Sequence, residues 1–431
     1  MDIEQKAKQA KAASIHLAAV SATQKDDALG NIARTLLARK DEIINTNRLD
    51  LTKAKADNLA APLLKRLKFD ESKIQEACEG VESLRRLPDP VGQTLRAIEL
   101  DDGLELYKVS CPIGVIGVVF ESRPDALVQI SSLCLKSGNA VLLKGGAEAT
   151  NTNMILADLI SKATEQAKIP DGWLGLMETR ADVREMLGMD SFIDLIIPRG
   201  SNAFVKYIMD HTRIPVLGHA DGICHVYIDR EADLAMAEAI TVDSKCQYVS
   251  VCNAAETLLV HADVAQDFLP GIHAALAARN VEIRGCQQTA KHIDVIPATE
   301  TDWQTEYLDN ILSIKTVETL EQAIDHINRY GSGHTDVIVS QDKQRADLFM
   351  GLVDTADVML NCSSRFSDGF RYGLGAEVGI STNKIHARGP VGMEGLMIYQ
   401  WRLIGNGHIV SDYTGQGSKP FMHKPIQREL K

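Results

Sequence analysis

Two cysteines stand six positions apart in the stretch SKCQYVSVCNAAETLLVH, residues 244–261, and either could be a nucleophile. A thiolate needs access and a positive or amide-rich setting, whereas a cysteine among small and β-branched residues ordinarily packs as a small hydrophobe. Cys252 falls between a polar, turn-like stretch and the apolar run LLVH, and Asn253 and two alanines after it leave room for a ligand. Cys246 follows Lys245, whose charge could lower a thiol's pKa. Residue types alone leave both open. Two strand-to-helix turns could hold an anion by backbone amides and a cation: NAVLLKGGAEATNTN, with Lys144, and FIDLIIPRGSNAFVKYI, with Arg199, Gly200 and Ser201. Neither is a GxGxxG or a Walker loop. His326 and His334, with Asp325 and Asp336 in AIDHINRYGSGHTD, have no spacing typical of metal ligands, so no metal site is expected. That loop reads either as a polar pocket for a small substrate or as side chains satisfying backbone groups.

The elements around these residues follow from periodicity. Residues 1 to about 87 carry successive helical patterns. LRAIEL and LELYKVS flank the turn residues DDG and predict a β-hairpin near 95–110. From GVIGVVF onward, continuous apolar runs alternate with helical stretches: PDALVQISSLCLKSG, NAVLLKGG, EATNTNMILADLISKATEQAKI, SFIDLIIPRG and SNAFVKYIMDHT. This alternation predicts a doubly wound α/β fold with parallel sheets, repeated in a second α/β domain that begins near residue 230. GLMIYQWRLIGNGHIV offers one more extended stretch near the end.

Composition bounds the rest. In 431 residues, 45% are apolar, enough for a large core and two or three domains. The eight cysteines form no CxxC pair, which fits reduced thiols and a cytoplasmic setting. The formal charge of −12 argues against nucleic acid or an acidic membrane as a partner, so any anionic ligand must be held by local cations. The first twenty residues do not follow the pattern of a secretion signal, and no apolar stretch reaches membrane-spanning length.

Taken together, CPIGVIGVVFESRPD, NAVLLKGGAEA, VCNAAETLLV, VETLEQAIDHINRYGSGHTDVI, RFSDGFRYGLGAEVGIST and KIHARGPVGMEGL resemble the aldehyde dehydrogenase superfamily. Within it they resemble the γ-glutamyl phosphate reductase family over nearly the whole chain. The resemblance implies Cys252 as nucleophile, because the family cysteine immediately precedes NAAETLLV. It implies Lys144 at the cofactor's adenosine ribose, Gly200 and Ser201 at its pyrophosphate and Glu306 at its nicotinamide ribose, with NADPH as cofactor. Ser122 and the backbone amide of Cys252 are the implied oxyanion donors. For the substrate's amino and carboxylate groups the expected contacts are Arg123, His334, Thr335 and Asp336, with Arg365 and Arg388 as further candidates. Where ordinary members carry a glutamate that activates water, this chain has LGHADGICHVY, so a thioester would lack its hydrolytic base.

The expected reaction is NADPH-dependent reduction of L-glutamyl 5-phosphate to L-glutamate 5-semialdehyde in proline biosynthesis, with release of phosphate. The alternatives are another oxidising or CoA-acylating aldehyde dehydrogenase, or a catalytically silent scaffold. The expected division is a cofactor domain over 1–94 and 111–229, a catalytic domain over 230–398, and an oligomerisation hairpin and tail over 95–110 and 399–431. A homo-oligomer is expected, and glutamate 5-kinase is a plausible partner, because an acyl phosphate cyclises readily.

Overall fold

The computed structural model describes residues 2–121, 123–375 and 377–430. The chain forms two compact units: 1–200 with 207–216 and 391–431, and 201–206 with 217–390.

The first unit opens with amphipathic helices whose starts are fixed by side-chain caps. Asp2 caps Ile3–Leu17, Ser21 forms a capping box with Gln24 at the start of Ala22–Ala38, and Asp70 caps Glu71–Arg86. These helices belong to a unit built on a four-stranded parallel sheet in the order Leu174–Leu176, Ala140–Lys144, Val115–Val119, Leu195–Pro198. Val115–Val119 and Ala140–Lys144 are buried throughout, as strands covered on both faces must be. Pro124 opens the helix Pro124–Lys136, where its missing N–H costs nothing, and Gly138, at φ +74°, turns the chain back toward Ala140. Strand order runs one way from Val115–Val119 to Leu174–Leu176, then reverses to place Leu195–Pro198 on the other side. The unit therefore has a topological switch point beyond Val119 and Pro198.

A second sheet in this unit is antiparallel, in the order Met397–Ile404, Leu104–Pro112, Thr94–Asp101, Lys424–Pro425. The predicted hairpin is its centre, with Gly103 at φ +72° in the turn. The extended tail is its edge.

The second unit holds a seven-stranded sheet in the order Ile296–Pro297, Glu282–Gly285, Ile311–Val317, Ala255–His261, Cys224–Ile228, Thr335–Val339, Asp357–Leu360, with parallel pairing throughout. One face packs Val226, Leu258, Ile314 and Val337 against Phe268 and Ile272, while the other packs Tyr227, Leu259 and Ile338 against Ile324 and Phe349. The expected boundary at 229/230 falls too late for this unit, which begins its long segment at Leu217. Cys224–Ile228 is the reason: it hydrogen-bonds to both Ala255–His261 and Thr335–Val339, at the centre of the second sheet.

Candidate active site

Cys252 sits in the turn that joins helix Leu234–Cys246 to strand Ala255–His261. Its backbone is held from several directions. The Cys252 carbonyl accepts from the Cys224 thiol at 3.2 Å. A Cβ on Gly222 would lie 2.2 Å from that carbonyl oxygen and 2.5 Å from the Cys252 Cα, so only glycine permits the approach. The neighbouring Asn253 donates to the Ser367 carbonyl at 2.7 Å, and its own carbonyl accepts from Ser364 Oγ at 2.7 Å. Beneath the turn, Lys245 and Glu256 form a fully buried ion pair of 2.6 Å. It ties the end of the helix to the start of the strand, one on each side of the cysteine.

This pair also separates the two cysteines. Lys245 is committed to Glu256, and the Cys246 thiol, packed beside the apolar core, is raised by burial despite Arg279 and Lys245 nearby. Lys245 does pull the Cys246 thiol down, as its charge suggested, but burial outweighs it. Cys252 retains partial exposure, although its sulfur is heavily desolvated: burial pushes the thiol up to about 12, and Glu306 and Glu377 add repulsion.

Two histidines complete the setting. The Cys252 sulfur and one ring nitrogen each of His219 and His334 lie within 4.8 Å of one another. His219 Nδ1 faces the Ile380 carbonyl at 3.0 Å. A carbonyl only accepts, so Nδ1 carries a proton, and in the neutral ring Nε2 is the nitrogen with the lone pair. The fully buried His334 packs edge-on to His219 with centroids 5.0 Å apart, and burial, then His219, hold its pKa well below the ordinary histidine value. His219, Cys252 and His334 gather at the amino ends of the strands, since Cys224, Ala255 and Thr335 each begin one.

The other expected residues divide. Glu306 accepts from Asn202 Nδ2 at 2.6 Å, and Asn202, next to Ser201, also donates to Asp221 at 2.9 Å. Ser201 begins the helix Asn202–His211, its carbonyl accepting from the Phe204 and Val205 amides. Gly200 precedes it at the end of Leu195–Pro198. Lys144 ends its strand, buried, with its ammonium on the Gly145 carbonyl. Asp50 takes the Thr152 amide at 2.8 Å and hydroxyl at 2.6 Å, fixing the start of helix Thr150–Glu165 beyond this turn. Here Asn153 is buried with its Oδ1 unpaired and lines a small hollow with Gly145, Gly146 and Thr150. An orphaned acceptor beside a lysine-glycine-glycine turn fits the hydroxyls of a nucleotide ribose.

Asp336 and Thr335 do not suit substrate contact. Both are fully buried, and Asp336 Oδ1 accepts from the His225 amide and ring at 2.9 and 2.8 Å. That pairing locks strand Cys224–Ile228 to Thr335–Val339. Arg365 is buried and donates to Gln247 at 2.9 Å; Arg388 pairs with Asp354 at 3.2 Å. Arg123 is exposed and lies 4.0 Å from Asp125. Ser122 lies outside the described residues.

Comparison with known proteins places this architecture. Residues 1–293 match the model of the aldehyde dehydrogenase family, and the chain belongs to that family. Among its relatives, the gamma-glutamyl phosphate reductase of Acetivibrio thermocellus is 63% identical over 430 residues, covering 100% of both chains. That of Pelotomaculum thermopropionicum is 62% identical over 429 residues, covering 100% of this chain and 99% of its own. The solved structure of gamma-glutamyl phosphate reductase from Thermotoga maritima superposes with a TM-score of 0.93 at 39% identity, covering 95% of this chain and 100% of that one.

Proposed function

We propose that this chain reduces L-glutamyl 5-phosphate to L-glutamate 5-semialdehyde, releasing phosphate, as the second step of proline biosynthesis from glutamate. The observation that carries the reading is 63% identity over the full length to a relative named for that activity. The pinned cysteine supports it.

Cys252 Sγ attacks the acyl carbon; the C–S bond forms as the C–O bond to phosphate breaks, and phosphate leaves with the electron pair. Since burial keeps the thiol protonated in the resting protein, its proton must leave as the substrate arrives. His219 Nε2 is the acceptor in this proposal, with His334 held neutral beside it. The backbone amide of Cys252 and Ser122 are the proposed oxyanion donors. Lys144, Gly200, Ser201 and Glu306 hold the nicotinamide cofactor, proposed to be NADPH, which supplies the hydride when bound. Water must not find a base at the thioester stage: a carboxylate would divert the thioester to glutamate, whereas His219, which stands in that stretch beside Ala220, already holds the thiol proton and has no lone pair to offer water.

Cys252→Ser is expected to lower turnover at least about 1000-fold, roughly 4 kcal/mol of transition-state stabilisation, while Cys246→Ser stays near wild type. Steady-state assay of both variants checks this, and near-normal turnover of Cys252→Ser sinks it. Oxidation of the semialdehyde in the reverse direction should require inorganic phosphate. Activity without phosphate would favour an oxidising or CoA-acylating enzyme, and cofactor binding without turnover a silent scaffold.

A further inference from the structure

Cys252, His219 and His334 all belong to the second unit, and one ligand atom of each stands within 4.8 Å of the other two. Sequence spacing hides this set, because each residue comes from the loop that enters a different strand. Each histidine already has one nitrogen committed. His219 Nδ1 donates to the Ile380 carbonyl at 3.0 Å, and His334 Nδ1 faces the Thr335 hydroxyl at 2.8 Å and the Cys224 sulfur at 3.7 Å. The one Cys224 proton goes to the Cys252 carbonyl, so toward His334 that sulfur only accepts and Nδ1 is the donor. His334 Nε2 is left with a lone pair, buried and without a hydrogen-bond partner among the described residues. A histidine held through one nitrogen, with the other free, is set to ligate a metal, since the outer bond fixes both tautomer and ring plane.

One cysteine and two histidines fill three tetrahedral positions around a zinc ion and leave the fourth to water, and sulfur with imidazole selects zinc over oxygen-seeking magnesium or calcium. Zinc bonds of about 2.0–2.1 Å to nitrogen and about 2.3 Å to sulfur set tetrahedral ligands roughly 3.3–3.6 Å apart. Atoms already within 4.8 Å reach that spacing by moving about 1 Å. The His334 ring is enclosed, so rotation of the Cys252 side chain and of the half-buried His219 supplies the movement. The surrounding charge suits the same occupant. Glu306 and Glu377 repel a bare thiolate at position 252, with Arg365 a weaker opposing influence, and the same two carboxylates attract a dication. We infer that Cys252, His219 and His334 bind Zn2+, and that the ion switches turnover off by capping the nucleophile. On binding, the Cys252 S–H bond breaks, its proton leaves to solvent and the Zn–S bond forms, while the ion exchanges bound waters for the three side chains. No group is oxidised or reduced. The sulfur electron pair that would attack the acyl carbon is then held by the metal. The metal site rests on the geometry, and its effect on turnover rests on the proposed role of Cys252.

Calorimetry follows Zn2+ binding to the full-length protein, and Co2+ serves as the optical probe, because cobalt bonded to a thiolate absorbs in the near ultraviolet. Wild type, Cys252→Ser, His219→Gln and Cys246→Ser are compared, with circular dichroism to show that each is folded. The expected result is one metal bound per chain, with the thiolate band, in wild type and Cys246→Ser. Cys252→Ser should lose the band. A lost outer partner of a metal ligand already costs roughly 10–100-fold in affinity, so His219→Gln should weaken Zn2+ at least about 100-fold. In the reverse-direction assay, Zn2+ held just above one equivalent should inhibit wild type and Cys246→Ser alike, with recovery when EDTA is added. No metal bound by wild type at about 100 μM would overturn the site. So would a thiolate band that persists in Cys252→Ser, or Zn2+ affinity unchanged in His219→Gln. Metal bound through Cys252 and His219 with turnover undiminished would overturn the inhibition and the role of Cys252 in the reaction, while the metal site itself stands.

Discussion

At the scale of single residues, the two thiols with opposite shifts make the sharpest comparison. Cys252 is pushed up to about 12 by burial and by Glu306 and Glu377. Cys286 is also partly buried, which raises it, but hydrogen bonds from Thr289 and the adjoining backbone amides outweigh burial and leave it below the ordinary thiol value. The Cys286 sulfur lies 3.4 Å from Thr289 Oγ1 at the start of a single turn of helix. Only the thiolate reacts with an alkylating reagent, so the group with the lower pKa reacts at lower pH. In the unliganded protein iodoacetamide should therefore modify Cys286 first at neutral pH, and Cys252 should gain reactivity as the pH climbs through the alkaline range without levelling off near neutrality. Peptide mapping by mass spectrometry across a pH series checks the order. Preferential labelling of Cys252 at neutral pH would mean that its sulfur is already ionised, and that no proton need leave on substrate arrival.

At the scale of elements, the turn bearing Cys252 depends on the Lys245–Glu256 pair, both partners having no exposure. Removing one partner leaves the other charged and buried, which costs on the order of 3–5 kcal/mol; replacing both with apolar residues of similar volume is often neutral. Lys245→Met should therefore markedly lower the thermal midpoint of the second unit, and Lys245→Met with Glu256→Leu should recover most of the loss, as scanning calorimetry would read. Equal losses in the single and double variants would show that the pair's charges matter less than the shape they fill. This pair was not legible in the sequence: Lys245 was visible only as a neighbour of Cys246, because its partner comes from the next strand. Uninterrupted apolar runs such as 115–119 and 140–144 were legible, since a strand covered on both faces has no polar alternation to obscure it. Leu174–Leu176 was not, being three residues long and too short to express any period. Cys224–Ile228 was readable as a strand but not as the centre of the second sheet, because periodicity carries no information about pairing partners.

At the scale of the whole molecule, the antiparallel sheet of the first unit ends on an open edge. Met397–Ile404 pairs with Leu104–Pro112 on one side, and among the described residues no strand pairs with the other. After Met397 the strand is exposed at every position, and it presents Tyr399, Trp401 and Leu403 on one face at 50%, 50% and 56% exposure, with Ile398 and Ile404 on the other. A long edge strand free of proline and rich in apolar side chains is a template for pairing with another chain, and monomeric proteins ordinarily blunt such edges with charge or cover them. Lys108 lies over the Tyr399 ring at 3.6 Å and adds to the apolar platform on this face, and Arg402, on the opposite face, is the strand's own charged residue. The proposed homo-oligomer is expected to form by adding a strand or an apolar face of a second copy here. Trp401→Lys combined with Leu403→Lys should shift the protein to a smaller species in light scattering coupled to size-exclusion chromatography, with its far-ultraviolet circular dichroism retained. The helices and the parallel sheets do not use this edge. A wild-type protein that is already monomeric at micromolar concentration, or a doubly charged variant that elutes with unchanged mass, would assign the exposed edge some other role.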